Sequence, residues 1–211
     1  MPNLFWQAAD GTAAVERLTE GPNLQAAHAM TPDGSRVIFR EDGQQRDLML
    51  MPLQPPRRPQ PLIQTMFEER NAELVPDGRW LAYESNESGR EEIYVRPFPD
   101  VNGGRWQVST GGGRMPLWSR NGQELFYVSP DDALMGVRVE AGSSWRSSTP
   151  ARVLQGPYYF GAPGQRRTFD IAPDGKRFLM IKEGGGNEAA PQNLVVVQNW
   201  FEELKRLVPT N

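Results

Sequence analysis

The sequence predicts an all-β fold built from a repeated unit, and three observations support this prediction. A Pro-Asp-Gly turn, or a close variant of it, occurs four times in the 211 residues, with its glycines at Gly34, Gly78, Gly122 and Gly175. The first three glycines are 44 residues apart, and the fourth follows 53 residues later. An apolar triplet begins three residues after each glycine, and short segments rich in aromatic and β-branched residues fill much of each period. A period near 44 residues with four strands is typical of a β-propeller blade.

The clearest copy of the unit spans residues 75–110. Its turn, Val75-Pro76-Asp77-Gly78, is followed by strand-like segments at residues 79–85, 92–98 and 105–110. Proline presets the chain direction, whereas Asp and Gly tolerate the backbone conformations that tight turns require. With residues 69–74 as a first strand, the unit is predicted to be a four-stranded antiparallel blade.

The remaining segments fit the same unit in chain order. Residues 3–19 predict a hairpin that matches the third and fourth strands of a blade. Further complete units follow at residues 26–64 and 114–155, and residues 167–197 supply three strands of another. The turn of the unit at 114–155 is Arg120-Asn121-Gly122, which we predict to be of type I′.

Two segments stand outside the repeat. Proline lacks an amide donor, so the proline-rich residues 54–59 are placed in a loop at the outer rim of a blade. A proline-rich ligand for a partner is the alternative. Residues 199–208 predict a short amphipathic helix, capped by Asn199 and ended by Pro209. We expect this helix to dock on the last blade, because an isolated helix of this length is only marginally stable.

The predicted propeller domain covers residues 1–198 and holds about four and a half blades. Propellers generally close by pairing the two chain ends within one blade, which removes exposed sheet edges. Here each end offers a third strand, so simple closure leaves one strand redundant. Three arrangements stay open: a strained five-bladed ring, an arc completed by upstream blades, and a ring closed by self-association. We favour the C-terminal portion of a larger propeller.

Composition excludes several classes of function. The chain has no cysteine, which rules out disulfides and thiolate metal sites. Its net charge of −3 gives no electrostatic footprint for binding nucleic acid. No apolar run approaches the roughly 18 residues of a membrane span, and the N-terminal residues lack the features of a signal peptide. The compartment stays open, with export expected only as part of a longer protein.

Catalytic and metal chemistry find little support. The only histidine is His28, in a predicted strand, and no Gly-x-Ser-x-Gly motif is present, so a Ser-His-Asp triad is not expected. Asp131-Asp132 lies between two strands, where a turn is a simpler interpretation than a Ca²⁺ or Mg²⁺ site. Gly111-Gly112-Gly113-Arg114 is interpreted as a connection between blades rather than an anion-binding loop. We therefore expect no catalytic residue, metal or cofactor.

Several repeated or paired residues are interpreted as architectural. Asp33, Asp77 and Asp174 are each expected to cap their own turn. The pairs Glu68-Glu69 and Glu91-Glu92 are interpreted as exposed charges that discourage edge-to-edge pairing of sheets. Five tryptophans are expected to pack between blades, namely Trp6, Trp80, Trp106, Trp118 and Trp145.

The surface around the central channel of the propeller is then the predicted functional region. Exposed arginine and aromatic side chains are typical of interaction hot spots. Six such residues lie near predicted first strands and are the candidate contacts for a protein or peptide partner: Arg70, Arg114, Tyr158, Tyr159, Arg166 and Arg167.

The repeated turn resembles that of the TolB-like β-propeller repeats, a WD40-like group. Thr31-Pro32-Asp33-Gly34, Val75-Pro76-Asp77-Gly78 and Ala172-Pro173-Asp174-Gly175 match the Ser/Thr-Pro-Asp-Gly motif of these repeats, and residues 117–122 form a variant of it. Residues 197–205 look like the C-terminal end of bacterial proteins that join a serine/threonine kinase domain to such a propeller. None of the kinase motifs is present in this chain.

The resemblance implies a fold rather than an activity, because propellers host many functions. The leading expectation is a non-catalytic module for protein interaction or ligand sensing within a larger propeller or signalling protein. The alternative is an accessory or gating domain of a hydrolase whose catalytic domain lies elsewhere.

Overall fold

The structure, a computed structural model, describes residues 1–140, 142–162 and 164–182. Every secondary-structure element in this part of the chain is a β-strand, as the sequence predicts. The predicted helix at residues 199–208 and the predicted strand at residues 194–197 lie outside the described residues.

Three four-stranded antiparallel sheets form the body of the molecule, and neighbours in each sheet are also neighbours in sequence. The first blade contains β3 (Leu24–Met30), β4 (Arg36–Asp42), β5 (Arg46–Pro52) and β6 (Gln60–Ile63). The second blade contains β7 (Glu69–Leu74), β8 (Trp80–Ser85), β9 (Glu92–Pro97) and β10 (Trp106–Gln107). The third blade contains β11 (Arg114–Trp118), β12 (Glu124–Val128), β13 (Ala133–Arg138) and β14 (Ala151–Gln155).

Partial units flank the three blades. The N-terminal hairpin pairs β1 (Phe5–Trp6) with β2 (Glu16–Arg17). The C-terminal unit, residues 158–182, pairs β15 (Tyr158–Tyr159) with β18 (Ile181–Lys182) and β16 (Asp170–Ile171) with β17 (Phe178–Leu179). The proline-rich residues 54–59 lie between β5 and β6 and join no strand, which confirms the predicted loop.

The four glycine turns share one geometry. Each glycine amide donates to the carbonyl three residues earlier at 2.8–2.9 Å. Each glycine has a φ between 67 and 75°. The preceding Asp or Asn accepts a hydrogen bond from the amide two residues after itself at 3.0 Å, so each residue caps its own turn as predicted. The type I′ prediction for Asn121 is wrong, because only the glycine of that turn has a positive φ, the pattern of a type I turn followed by a left-handed residue.

Among the described residues, the core consists of four clusters, one between each pair of consecutive units. Successive side chains of a strand point to opposite faces of the sheet, so the second strand of a blade serves two clusters. In β8, Leu81 and Tyr83 pack towards the first blade, whereas Trp80 and Ala82 pack towards the third blade. This arrangement explains why each second strand contains a run of three or four consecutive apolar residues rather than an alternating pattern.

Tryptophan side chains fill the space between the second and third blades. Trp145 packs edge-to-face against Trp80 and Trp118, with ring centroids 5.5 and 5.9 Å apart. Trp106 packs edge-to-face against Trp80 at 5.6 Å. The expectation of blade packing is wrong for Trp6, which is 41% exposed on the N-terminal hairpin.

The first strands lie at the centre of the arc, since β7 packs against β3 on one side and β11 on the other. Each of these strands contains a β-bulge, at Ala27/Ala29, Arg70/Glu73 and Arg114/Leu117. Asn71 and Met115, which are 44 residues apart, have positive φ values of 49 and 57° within their bulges. Bulges re-aim side chains, and here they recur where the blades converge.

Candidate functional site

A cavity of about 170 Å³ lies where the first strands of the blades meet the segment before β16. We call it the channel site. Its lining includes His28 from β3, Asn71 and Glu73 from β7, and Arg166 and Arg167 from the segment before β16. Met115 and Pro116 of β11 add apolar side chains to the lining.

An adjoining cavity of about 530 Å³, called the outer cleft here, lies beside the third blade. No residue lines both cavities, but Arg114 of the outer cleft directly precedes Met115 of the channel site in β11. Polar residues at the edge of the outer cleft include Arg90, Glu91 and Asp132.

Three of the candidate arginines occupy the same position of the repeat, eight residues before a turn glycine: Arg70, Arg114 and Arg167. Arg70 is buried and is bound by two carboxylates, Glu84 at 3.1 Å and Glu91. Glu84 also accepts hydrogen bonds from the Asn71 side chain at 2.7 Å and from the Met115 amide. This cluster ties the first strand of the second blade to the first strand of the third.

The other two repeated arginines form further ties between units. The Arg114 guanidinium donates to the carbonyls of Phe160 and Gly161 at 3.2 and 2.9 Å, and it pairs with Asp132 at 2.5 Å. Arg167 donates to Glu73 and to the Pro116 carbonyl, both at 3.0 Å. All three repeated arginines are therefore occupied by partners within the chain.

The six candidate contacts divide accordingly. The expectation of an exposed side chain is wrong for Arg70, which is buried. Arg114, Arg167 and Tyr158 are partly buried, whereas Tyr159 and Arg166 are exposed. Arg114 lines the outer cleft, and Arg166 and Arg167 line the channel site, whereas Arg70 and the two tyrosines line neither cavity. Contact of any of the six with a partner stays a prediction.

Arg166 differs from the repeated arginines. Within the described residues, its side chain makes no hydrogen bond or ion pair. Arg166 lies nine residues before its turn glycine, and the equivalent positions of the other units are occupied by Gln25, Glu69 and Gly113. Arg166 is thus a departure from the repeat that no contact within the described chain accounts for.

His28 is a second departure from the repeat. It lies in the bulge of β3, and Ala72, Pro116 and Phe169 occupy the equivalent positions. Its Nε2 atom is buried and has no hydrogen-bond partner among the described residues. Burial, aided by the positive charges of Arg40 and Arg166, lowers the pKa of His28 to about 3, so this side chain is neutral near pH 7.

Buried carboxylates are the functional groups that sequence reasoning missed. Burial raises the pKa of Glu84, while its bonds to the Met115 amide, Asn71 and Arg70 oppose this rise. Burial also raises the pKa of Glu73, opposed by Arg167. The available signal was a glutamate directly after four apolar residues in β8, every residue of which is buried.

The interpretation of two further glutamates as exposed charges is wrong. Glu92 is buried and accepts hydrogen bonds from the Gly112 amide at 2.9 Å and from the Ser109 hydroxyl. The Gly113 amide donates to the Glu91 carbonyl at 2.9 Å, so two amides of the glycine-rich loop are already occupied. This supports its interpretation as a connection between blades rather than an anion-binding loop.

Glu69 is the other buried glutamate of the two pairs. It accepts a hydrogen bond from Thr65 at 2.6 Å, and burial raises its pKa to about 7, with Asp47 and Glu87 adding to the rise. The side chain therefore lies close to the midpoint of its titration at neutral pH.

The predicted turn at Asp131-Asp132 is confirmed, since the Asp132 amide donates to the Ser129 carbonyl at 3.1 Å. In the part of the chain that the structure describes, no three His, Asp or Glu side chains are arranged to hold a metal ion. The same residues include no helix long and apolar enough to cross a membrane.

Comparison with solved structures establishes the fold. TolB from Acinetobacter baumannii superposes with a TM-score of 0.60 at 16% identity, over 85% of this chain and 42% of TolB. A puromycin-hydrolyzing peptidase from Mycobacterium tuberculosis gives 0.62 at 18% identity, over 81% of this chain and 30% of the peptidase. An oligogalacturonate lyase in complex with manganese gives 0.52 at 17% identity, over 85% of this chain and 60% of the lyase.

The chain is therefore a β-propeller protein with TolB-like blades. No protein-family model matches it, and no curated protein matches it significantly. The chain spans less than two thirds of the length of each of these three proteins. At identities below one fifth the likeness concerns the fold, and function has to be argued from the site.

Proposed function

We propose that this chain is a non-catalytic β-propeller module that binds a protein or peptide segment at the channel site and the outer cleft. One observation carries the proposal. The repeated arginines are all occupied by partners within the chain, whereas Arg166 and His28 break the repeat at the channel site and have no such partners among the described residues. Unpartnered polar groups beside a cavity are typical of ligand-binding sites.

The properties of His28 support a non-catalytic role. It is the only histidine, and it forms no hydrogen bond with a hydroxyl group of the described residues. A general base works best with a pKa near the operating pH, whereas the pKa of His28 is lowered to about 3. A serine activated by this histidine is therefore a poor account of the site.

Exposed apolar side chains support the proposal that the chain is part of a larger ring. Phe5 is 54% exposed on the N-terminal hairpin, next to the exposed Trp6. Exposed apolar patches commonly mark surfaces that another element covers. We propose that further propeller blades cover this hairpin, and that self-association is the alternative. Light scattering and urea unfolding of the chain alone test this: a stable closed oligomer would favour self-association, whereas a single monomer mass with cooperative unfolding would contradict both arrangements.

Selection from a displayed peptide library tests the binding role. Peptides enriched on the chain are measured by fluorescence anisotropy against three proteins: the unchanged chain, Arg166→Ala and the matched control Arg177→Ala. Arg177 is an arginine of the same unit with a 78% exposed side chain and is absent from both cavities. We expect the Arg166 variant to lose about tenfold in affinity and the control to retain it. Equal binding by all three proteins would contradict a site at the channel.

The alternative is an accessory or gating domain of a hydrolase. The likeness to the mycobacterial peptidase, of which this chain covers 30%, is the observation that favours it. Under this alternative the chain alone binds the substrate of a separate catalytic domain and turns nothing over. Incubation of the chain with ester and peptide substrates tests the non-catalytic part of the proposal. Hydrolysis by the unchanged chain that is lost in His28→Ala would overturn this part.

A further inference from the structure

We propose that the channel site contains an anion-binding subsite, in which His28 Nε2 and the Arg166 guanidinium bind one carboxylate group of the ligand. The inference rests on the proposed function and specifies its ligand: a protein segment that presents a carboxylate, either at a chain terminus or on an Asp or Glu side chain.

The donor set of the cavity supports an anion. The Arg166 guanidinium carries several N–H donors and has no acceptor among the described residues, whereas Arg167 is occupied by Glu73 and the Pro116 carbonyl. His28 adds its ring nitrogen Nε2, which is buried and lacks a hydrogen-bond partner among the described residues. A buried nitrogen without a hydrogen bond is unfavourable, and a carboxylate oxygen would satisfy it if Nε2 carries the proton.

The charges around the cavity favour the same ligand. The charged groups that face His28 come from three elements: Arg40 from β4, Glu73 from β7, and Arg166 and Arg167 from the segment before β16. The Glu73 carboxylate is neutralised by its ion pair with Arg167 at 3.0 Å, so the remaining charge is positive. An anion is therefore attracted to this cavity, and a cation is repelled.

The size of the cavity limits what enters. A volume of about 170 Å³ accommodates a carboxylate with the few atoms that carry it, whereas a longer segment must continue outside. We assign the continuation to the outer cleft, at about 530 Å³, because its Arg114 directly precedes Met115 of the channel site in β11. The proposed ligand thus inserts its acidic group and lays the neighbouring residues along the third blade.

Anion binding is also expected to be coupled to protonation of His28. The pKa of free His28 is lowered to about 3 by burial and by the positive charges of Arg40 and Arg166. The negative charge of a bound carboxylate counteracts the positive charges of Arg40 and Arg166, so it raises the pKa of His28 towards its ordinary value of about 6.5. Binding therefore takes up a proton in mildly acidic solution, and affinity rises as the pH falls until the carboxylate itself is protonated.

The single histidine makes the test direct, because its ring gives one set of NMR signals in the tag-free chain. Sodium acetate and inorganic phosphate are titrated first, against sodium chloride at matched ionic strength. We expect a saturable shift of the His28 signals with acetate, and loss of that shift in Arg166→Ala but not in Arg177→Ala. A shift that never saturates, or one that persists unchanged in Arg166→Ala, would overturn the subsite.

Three versions of one selected peptide then identify the source of the carboxylate. One has a free C-terminus, one is amidated, and one is amidated with an internal glutamate. Tight binding by the first alone indicates a chain terminus, and binding by the third indicates an acidic side chain. Equal binding by the amidated peptide without glutamate would overturn the subsite while leaving the binding module intact, so failure of the two proposals is distinguishable.

Discussion

The second blade and the C-terminal unit contain the same turn but differ in how the following strand is buried. Gly78 and Gly175 donate to the carbonyl three residues earlier at the same distance, 2.8 Å. After Gly78, Leu81 and Tyr83 are fully buried. After Gly175, Leu179 is 76% exposed. Turn geometry is thus a local property of a few residues, whereas burial requires a packed neighbour on both faces of the sheet.

The largest expected effect contrasts the two strands directly. Leu81→Ala should reduce the free energy of unfolding by about 2–5 kcal/mol, because it opens a cavity in a packed core. Leu179→Ala should change it by no more than about 0.5 kcal/mol, as is usual for exposed positions. Urea denaturation of both variants provides the measurement. Equal losses of unfolding free energy in the two variants would contradict the contrast between the strands. A large loss for Leu179→Ala that occurs only in the presence of further blades would show that those blades bury this residue.

The next effect concerns two ion pairs in the same two regions. Glu84→Gln should destabilise the chain by about 3 kcal/mol or more, because it leaves the buried Arg70 with incomplete neutralisation. Asp174→Asn should have an effect below about 1 kcal/mol, since the pair of Asp174 with Arg177 is exposed. Thermal and urea unfolding test both variants. A neutral Glu84→Gln would show that Glu91 alone suffices for Arg70.

These contrasts also explain what the sequence could predict. The period, the turns and the strand order depend on residues close together in sequence, and they were predictable. The burial of Glu84 depends on Arg70 and on the Met115 amide, 14 and 31 residues away, which only the folded arrangement brings together. The bulges escaped prediction as well, because Asn71 and Met115 share a position and a backbone conformation but no residue property.

The candidate site was predictable only in its outline. Four of the six selected residues are arginines that converge on the centre of the arc, as their place near first strands indicated. Three of them recur at one position of the repeat, and recurrence marks them as ties between blades. Arg166 and His28 do not recur, and this departure from the period was the available signal for the proposed ligand site.

A smaller effect is expected from the titration of Glu69. Its raised pKa of about 7 means that the folded state binds more protons than the unfolded state above about pH 4.5. Stability from this group is therefore lost as the pH rises through 7. His28 acts in the opposite direction, with stability lost as the pH falls below about 6.5 towards 3. Above pH 6.5 His28 is neutral in both the folded and the unfolded state, so Glu69 determines the change in stability with pH that these two groups cause.

Glu69→Gln tests this directly. The stability of the variant relative to the unchanged chain should rise by about 1 kcal/mol between pH 6 and pH 8, measured by urea denaturation at each pH. Glu20→Gln, at an exposed glutamate whose side chain is 82% accessible, removes the same charge and should give no such gain. Parallel pH profiles for the unchanged chain and Glu69→Gln would contradict the assignment.

The smallest effect returns to the turns shared by the two regions. Asp77→Ala and Asp174→Ala each remove one hydrogen bond of 3.0 Å from a turn amide, for a loss of about 0.5–1.5 kcal/mol. If turn geometry is local, hydrogen exchange at the amides of Arg79 and Lys176 should accelerate by similar factors in the two variants. The effect on global unfolding should differ, because the second blade is packed on both faces and the C-terminal unit opens with less loss of buried surface. Equal global effects would mean that both units unfold as one cooperative body.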